Sequence, residues 1–259
     1  MSNISKKVTI IGDVCQDIFI YGKSERLSPE APVPIFEEIH RIENSGMAGN
    51  VLANLESLCI NDTNIKLKSY LSPTYEIKTR YIDDKTNHIF LRIDTKKDRE
   101  YAFHMTFEIQ NDLKSSDLII ISDYDKRFLS WSDILEITSM KSKNALLIID
   151  TKKKIHTREL LNRIDYIKMN GKEFEQNKNV FDDKNIDKLI VTLGEKGSVY
   201  KDKLYTVEVK QTIDVSGAGD TFLASLSYSL LKENNIVDAI NFANEKASLV
   251  VTKRGVSVI

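Results

Sequence analysis

The run Asp214-Val215-Ser216-Gly217-Ala218-Gly219-Asp220-Thr221 sets two glycines two positions apart, directly before an apolar stretch carrying Phe222, Leu223 and Leu226. Glycines at a helix start leave backbone amides uncovered. Those amides, with the helix dipole, suit a phosphate. Asp220, just inside the helix, would stand beside that anion site. A carboxylate there can orient a hydroxyl and take its proton while the amides stabilise a transferring phosphoryl group. The spacing is not that of a P-loop, since no Gly-Lys-Ser/Thr follows, and it is not the dinucleotide fingerprint. An alternative stays open: a Gly-Ala-Gly-Asp turn can simply cap a helix.

The rest of the chain must hold this segment in place. Val8 to Ile11 is a compact β-branched run ending at Gly12-Asp13, as a buried parallel strand with a polar group at its C-terminal edge would. Residues 18–42, with Pro29, Pro32 and Pro34 among alternating pieces, read as a small antiparallel flap. Gly46-Met47-Ala48-Gly49-Asn50 then opens a helix over about 50–58. Lys78–Ile82 and Ile89–Ile93 read as a hairpin. Beyond it the rhythm is βα: apolar runs end at Ser122-Asp123, Asp150, Asn170 and Thr192-Leu193-Gly194, and helices are expected over 131–140, 219–231 and 236–250. Repeated apolar runs that finish on polar residues predict an α/β fold with a mostly parallel sheet and a functional C-terminal edge. No low-complexity linker divides residues 1–259, so one domain is expected, with a β lid from about 16–42 and 76–94.

Composition narrows the class. The 259 residues are 41% hydrophobic and 29% charged, with a formal net charge of -1. This fits a soluble globular protein and gives no electrostatic case for nucleic acid. Lys152-Lys153-Lys154 reads as a solvated surface run. No stretch has the length of a membrane span and the N-terminus lacks a signal-peptide pattern, so a cytoplasmic protein is expected. Cys15 and Cys59 show no metal spacing, and a reducing compartment suits them.

The Gly217–Asp220 segment resembles the signature of the ribokinase-like, or PfkB, carbohydrate kinases. The resemblance implies a ribokinase-like three-layer fold and an ATP-dependent sugar kinase. In it, Gly217, Ala218 and Gly219 build the anion hole and Asp220 is the base. Asn170-Gly171-Lys172-Glu173 looks like the family's element that organises magnesium and phosphates through water, or is a loop with Asn170 capping the next helix. Thr192, Gly194 and Gly197 match the turn near the nucleotide, or are ordinary turn residues. Asp214 falls on the nucleotide side, and Asn244 could face the adenine or lie on a helix surface. The cofactors implied are ATP and Mg2+, with a monovalent cation allowed.

Within the family the N-terminal half is similar to the heptose 7-phosphate kinases, through Gly12-Asp13-Val14 with Asp17, the run Arg26 to Pro34, Lys78-Thr79-Arg80, Arg92-Ile93-Asp94, and Ser122-Asp123-Tyr124 with Lys126. That implies a sugar or sugar-phosphate acceptor held by Asp13, Asp17, Gly46, Asn50 and Asp123. Lys78, Arg80, Arg92 and Lys126 would face a phosphate already on the sugar, or be surface ion-pair partners. Dimers through the flap occur in similar kinases. Here Ile18, Phe19, Ile20, Tyr21, Ile35 and Phe36 either pair two chains or cover the local core.

The chain departs from that pattern in three ways. Met47 replaces the second of a glycine pair, Arg127 stands where relatives carry glycine, and residues 59–73 are short for a further βα unit. From the same shortness no fused nucleotidyltransferase domain, such as bifunctional heptose enzymes carry, is expected. Two competing readings follow: a non-catalytic sugar or nucleotide sensor on the same fold, or a kinase for a neutral sugar or nucleoside. Convergence of Lys78, Arg80 and Arg92 beside the sugar site would favour a phosphorylated acceptor; an outward-pointing set would favour a neutral one.

Overall fold

The computed structural model describes residues 5–74, 76–96, 103–208 and 210–259. In chain order the elements are β1 (Lys6–Gly12), β2 (Val14–Lys23), β3 (Glu37–Met47), α1 (Ala48–Cys59), β4 (Ile65–Leu71), β5 (Glu76–Asp83) and β6 (Ile89–Lys96). Then follow α2 (Phe107–Ser115), β7 (Leu118–Asp123), α3 (Trp131–Met140), β8 (Leu146–Thr151), α4 (Glu159–Arg163), β9 (Tyr166–Asn170) and α5 (Gly171–Asn177). The last are β10 (Leu189–Thr192), β11 (Ser198–Tyr200), β12 (Lys203–Tyr205), α6 (Ala218–Glu233) and α7 (Ile236–Val250).

Eight strands form the central sheet in the order β12-β11-β10-β9-β8-β7-β1-β4, parallel from β10 to β4 and antiparallel at β11 and β12. Its apolar runs bury both faces, as parallel strands covered by helices do. Ile11, Ile119, Ile121, Leu147 and Ile149 pack with residues of α2, α3 and α4 on one face. Val8, Ile10, Leu118, Ile120 and Ile148 pack with α1, α6 and α7 on the other. Three layers result. Among the described residues no helix is long and apolar enough to cross a membrane.

A second sheet, β3-β2-β5-β6, leaves the first at Asp13, where β1 runs into β2. The pair β2–β3 is antiparallel, β2–β5 parallel and β5–β6 antiparallel. Phe19, Tyr21 and Ile82 bury one face of it against Val256 of the C-terminal segment. The flap residues Phe19 and Tyr21 therefore cover local core, not a dimer surface. The exposed apolar side chains lie instead at Ile39, Ile89, Phe90, Leu91 and Ile93.

The helix expected over 50–58 begins at Ala48, and Gly46 and Met47 close strand β3 instead of opening the helix. Strand β4, in the span read only as a short connection, takes the sheet edge beside β1. Both non-glycine departures keep a left-handed backbone: φ is 61° at Met47 and 64° at Arg127. An L-residue there suffers crowding between Cβ and backbone that glycine avoids. Arg127 is exposed and buries nothing that its loss would forfeit. Arg127→Gly should therefore stabilise the fold by roughly 0.5–1 kcal/mol, after glycine's greater unfolded-state entropy is set against the relieved strain. A urea midpoint that stays put or falls would contradict this.

Candidate active site

Parallel register gathers the polar strand ends on one edge. Gly12 is level with Ser122, Ser122 with Asp150, Asp150 with Lys168, and Asn170 with Thr192. Above that edge the chain turns at Gly217, in a left-handed conformation (φ 82°), and enters α6. A Cβ at Gly217 would lie 2.6 Å from Asn50 Nδ2. Glycine is thus required both by the turn and by the approach of α1.

Asp220 sits in the first turn of α6 and is only 4% exposed. Tyr124 donates its hydroxyl to Asp220 Oδ1 at 2.6 Å, and Asn50 Nδ2 donates to Oδ2 at 3.2 Å and to the Gly217 carbonyl at 3.3 Å. Burial pushes the Asp220 carboxyl up to about 6, although the Tyr124 hydrogen bond, the Lys168 charge and the Asn50 hydrogen bond all work to lower it. A buried carboxyl pushed upward by its surroundings suits a general base better than a structural cap, since a cap is most effective when fully ionised.

Beside Gly219 lies a chain of buried charge. Lys168 Nζ pairs with Asp150 Oδ2 at 2.6 Å, and Lys152 Nζ bridges Asp150 Oδ1 (3.2 Å) and Glu173 Oε1 (2.6 Å). A Cβ on Gly219 would come within 3.1 Å of Lys168 Nζ. Burial works against both charges, yet Lys152 and Lys168 hold Asp150 below the usual carboxylate range, and Asp150 and Glu173 hold Lys152 above its ordinary value. These two lysines, Tyr124, Asn170, Thr192, Gly194, Gly197, Ala218, Gly219 and Asn244 line a cavity of about 760 Å³, with Phe222, Ala247 and Val251 on its apolar wall. That is the size of a nucleotide-sized ligand site.

The second sheet brings further expected residues together. Asp17 and Arg80 form an ion pair at 2.6 Å, both nearly buried. Asp17 also fills the space that a side chain at Gly46 would need. Lys126 pairs with Glu76 at 3.0 Å, and Lys78 lies 3.4 Å from Cys15 Sγ and 4.0 Å from Glu76. Burial, then the Asp17 charge, pushes the Cys15 thiol up to about 12. Lys78 and Arg80 are two apart on β5, opposite Asp94 and Arg92 on β6, so all four share one face of the sheet. Arg80 and Lys78 are drawn inward on that face, while Arg92 is half-exposed.

Several expectations need correction. Asp123 does not face a ligand: it is fully buried and accepts from Thr151 Oγ1 (2.5 Å) and Lys153 Nζ (3.1 Å). Arg92 is half-exposed and clamps Asp94 with two hydrogen bonds of 2.7 and 2.9 Å. One carboxylate oxygen of Asp13, Oδ2, accepts from the amides of Tyr124 (2.8 Å) and Lys126 (3.2 Å), which fastens that loop. Asp214 accepts from the Ser216 amide, 2.8 Å away, as a turn residue. Asn244 commits its Nδ2 to the Tyr205 carbonyl at 2.9 Å. Asn170 and Glu173 form a reciprocal capping box at the start of α5, so the cap reading of Asn170 holds structurally.

The lysine run read as solvated surface is mostly the reverse. Lys152 lines the cavity, Lys153 is buried against Asp123 and Asp125, and Lys154 alone of the three is exposed. Lys168 also went unremarked. Its signal was available: a lone charge inside the apolar run from Ile164 to Met169 needs a buried partner.

The family model for pfkB family carbohydrate kinases matches residues 75–258. The bifunctional protein HldE of Helicobacter pylori J99 is 32% identical over 299 residues, covering 96% of this chain and 64% of the relative. The HldE of a Nitratiruptor species is 30% identical over 291 residues, with 96% and 62% covered. The chain thus spans less than two thirds of the length of these relatives. The 299 aligned positions also exceed its own 259 residues, so the relatives carry segments with no counterpart here. Among solved structures, Arabidopsis thaliana ribokinase complexed with ribose and ATP superposes with a TM-score of 0.68 at 15% identity, covering 97% and 94% of the two chains. Phosphofructokinase-2 from Escherichia coli in complex with potassium gives 0.66 at 13%, covering 98% and 95%. The fold is ribokinase-like.

Proposed function

We take as premise that the chain belongs to the pfkB family of carbohydrate kinases, and we propose that it transfers a phosphoryl group from ATP to a phosphorylated sugar, with Asp220 as the base. One observation carries this reading. Buried Asp220, held by Tyr124 and Asn50, stands in the first turn of α6 next to Gly219, which with two lysines lines the cavity.

ATP fits the donor set: Lys152, Lys168 and the start of α6 at Ala218 and Gly219 suit its phosphates, and the apolar wall near Ala247 and Val251 suits its base. When bound, ATP supplies the transferable phosphoryl group. Magnesium is a different case. Among the described residues no three His, Cys, Asp or Glu side chains cluster as a metal nest. Both Glu173 oxygens already accept from Asn170 and Lys152. Direct ligation by this pair does not fit, and no step here runs through the ion.

The chain's own part in the reaction is positional and electrostatic. Asn50 and Tyr124 orient Asp220. Asp220 takes the proton of the attacking hydroxyl. The Gly217–Gly219 amides and Lys168 stabilise charge on the transferring group. The second sheet acts as a lid over the acceptor and keeps water out. On that sheet Lys78, Arg80 and Arg92, joined by Lys126 from the loop after β7, meet three carboxylates (Asp17, Glu76, Asp94), which favours an anionic acceptor. The resemblance of the Ser28–Pro34 run to heptose 7-phosphate kinases supports heptose 7-phosphate, phosphorylated at C1. A homodimer through this sheet would cover the exposed Ile39, Phe90, Leu91 and Ile93.

The test is ADP release from ATP against a panel of sugars and sugar phosphates. Turnover is expected with phosphorylated sugars. Among the described residues Lys78 makes the 3.4 Å and 4.0 Å contacts above, longer than those of Arg80 and Lys126. Lys78→Met should raise KM for the phosphorylated acceptor by roughly 10–100-fold with kcat little changed, the loss of one charged hydrogen bond. Turnover confined to neutral sugars or nucleosides, indifferent to Lys78→Met, would remove the phosphosugar reading.

A further inference from the structure

We propose that Tyr124 is a positioning residue that occupies the base in place of the acceptor hydroxyl, so that ATP is not hydrolysed when no sugar is bound. The proposal rests on the reading of Asp220 as the base.

Wasteful hydrolysis would follow the same course as transfer. A water oxygen would bond to the γ-phosphorus, the bond from phosphorus to the bridging oxygen of ADP would break, and the water proton would pass to Asp220. That proton needs a carboxylate oxygen with a free lone pair facing the phosphoryl group. Both oxygens already hold a donor: Oδ1 takes the Tyr124 hydroxyl at 2.6 Å, and Oδ2 takes Asn50 Nδ2 at 3.2 Å. The shorter contact is the stronger, as expected of a hydroxyl donating to a charged acceptor. Tyr124 can hold this position without reacting. Burial, then the Asp220 charge, pushes its hydroxyl well above the ordinary tyrosine range, so it stays a neutral donor.

The phenol is also tied to both sides of the acceptor site. On the body side, Asp13 Oδ2 accepts from the amides of Tyr124 and Lys126, and the Lys152 ammonium lies 4.9 Å from the centre of the Tyr124 ring. Lys153 braces the same loop through Asp123 and Asp125. On the other side, Lys126 Nζ reaches Glu76 at the start of β5, 3.0 Å away. One short loop therefore joins the candidate base to the second sheet. A sugar entering between sheet and body meets that loop at both ends, and its hydroxyl takes Oδ1 from the phenol.

The test needs no acceptor. ADP release from ATP with Mg2+ alone is measured for wild type, Tyr124→Phe, Asp220→Asn and the double variant. Tyr124→Phe should raise acceptor-independent hydrolysis about tenfold or more, within the range that an exposed general base contributes. Adding Asp220→Asn should cancel the rise. A tyrosine that merely packs would give the opposite sign, a fall in hydrolysis. No rise in a folded Tyr124→Phe, or a rise that survives Asp220→Asn, overturns the proposal. If Tyr124→Phe melts below the assay temperature, Glu76→Gln loosens the same loop and should raise hydrolysis in the same direction; no rise there also overturns it. The kinase reading is judged separately, by whether Asp220→Asn abolishes acceptor-dependent turnover.

Discussion

Asp220→Asn should reduce acceptor-dependent turnover by about 10²–10⁴-fold, the usual contribution of a general base, while making the protein harder to unfold at neutral pH. The second half follows from the sign of the pKa shift. The Asp220 carboxyl is raised by burial to about 6, above the ordinary aspartate value of the unfolded chain. The folded state therefore binds this proton more tightly than the unfolded state does. Its favourable contribution is present at low pH and is lost as pH rises from about 4 to 6. Above that window a charged carboxylate stays buried, which costs on the order of 2–3 kcal/mol. An asparagine removes that charge and keeps both hydrogen bonds: its oxygen can accept from Asn50, and its amide can donate to the Tyr124 oxygen once the hydroxyl turns. Melting curves of Asp220→Asn should lie several degrees above wild type at pH 7.5, with the gap narrowing through pH 6 to 5 and closing near pH 4. Wild-type turnover should fall on the acid side with a midpoint near 6. A variant that loses both activity and stability would mark Asp220 as a structural cap.

How far the amino-acid pattern foretold this arrangement depended on whether a residue's partner was local. The polar strand ends, the α6 entry and the β5–β6 hairpin are set by periodicity and by turn residues within a few positions, and they fell where expected. The parallel pairing of β2 with β5 across the intervening α1 and β4 did not show. Nor did Lys152 and Lys168. Each has a partner that is distant in sequence: Lys168 meets Asp150 only once β8 and β9 lie side by side, and Lys152, two residues after Asp150, reaches Glu173 at the start of α5. Lys152, flanked by two other lysines, carried the pattern of a solvated run. Asp123 failed for the mirror-image reason: a strand-end aspartate resembles a ligand residue until Lys153 folds back onto it. Helix α2 rests on the Thr106 cap and on Ile109 and Leu113, a weak amphipathic signal in a polar stretch. Met47 and Arg127 were visible as departures, but their left-handed backbone was not, because the sequence names a residue and not its φ.

Lys168 therefore bears the second large effect. Lys168→Met should cost about 3 kcal/mol of stability and roughly 10²–10³-fold in turnover, and the two losses should be separable. The stability loss arises at Asp150, which is 1% exposed and would keep only Lys152, at 3.2 Å, against a buried negative charge. That remaining contact holds the loss to the low end of what breaking a buried pair does. The turnover loss arises at Gly219, where the Lys168 ammonium stands ready to meet charge on a transferring phosphoryl group. Removing it also takes away one of the influences that lower the Asp220 carboxyl, so the acid limb of the rate profile should move to higher pH. Adding Asp150→Asn neutralises the orphaned partner while Lys152 keeps Glu173. The double variant should regain most of the lost stability and none of the turnover. Recovery of both would mean that Lys168 serves the fold alone, and the charge that faces the phosphoryl group would have to come from Lys152.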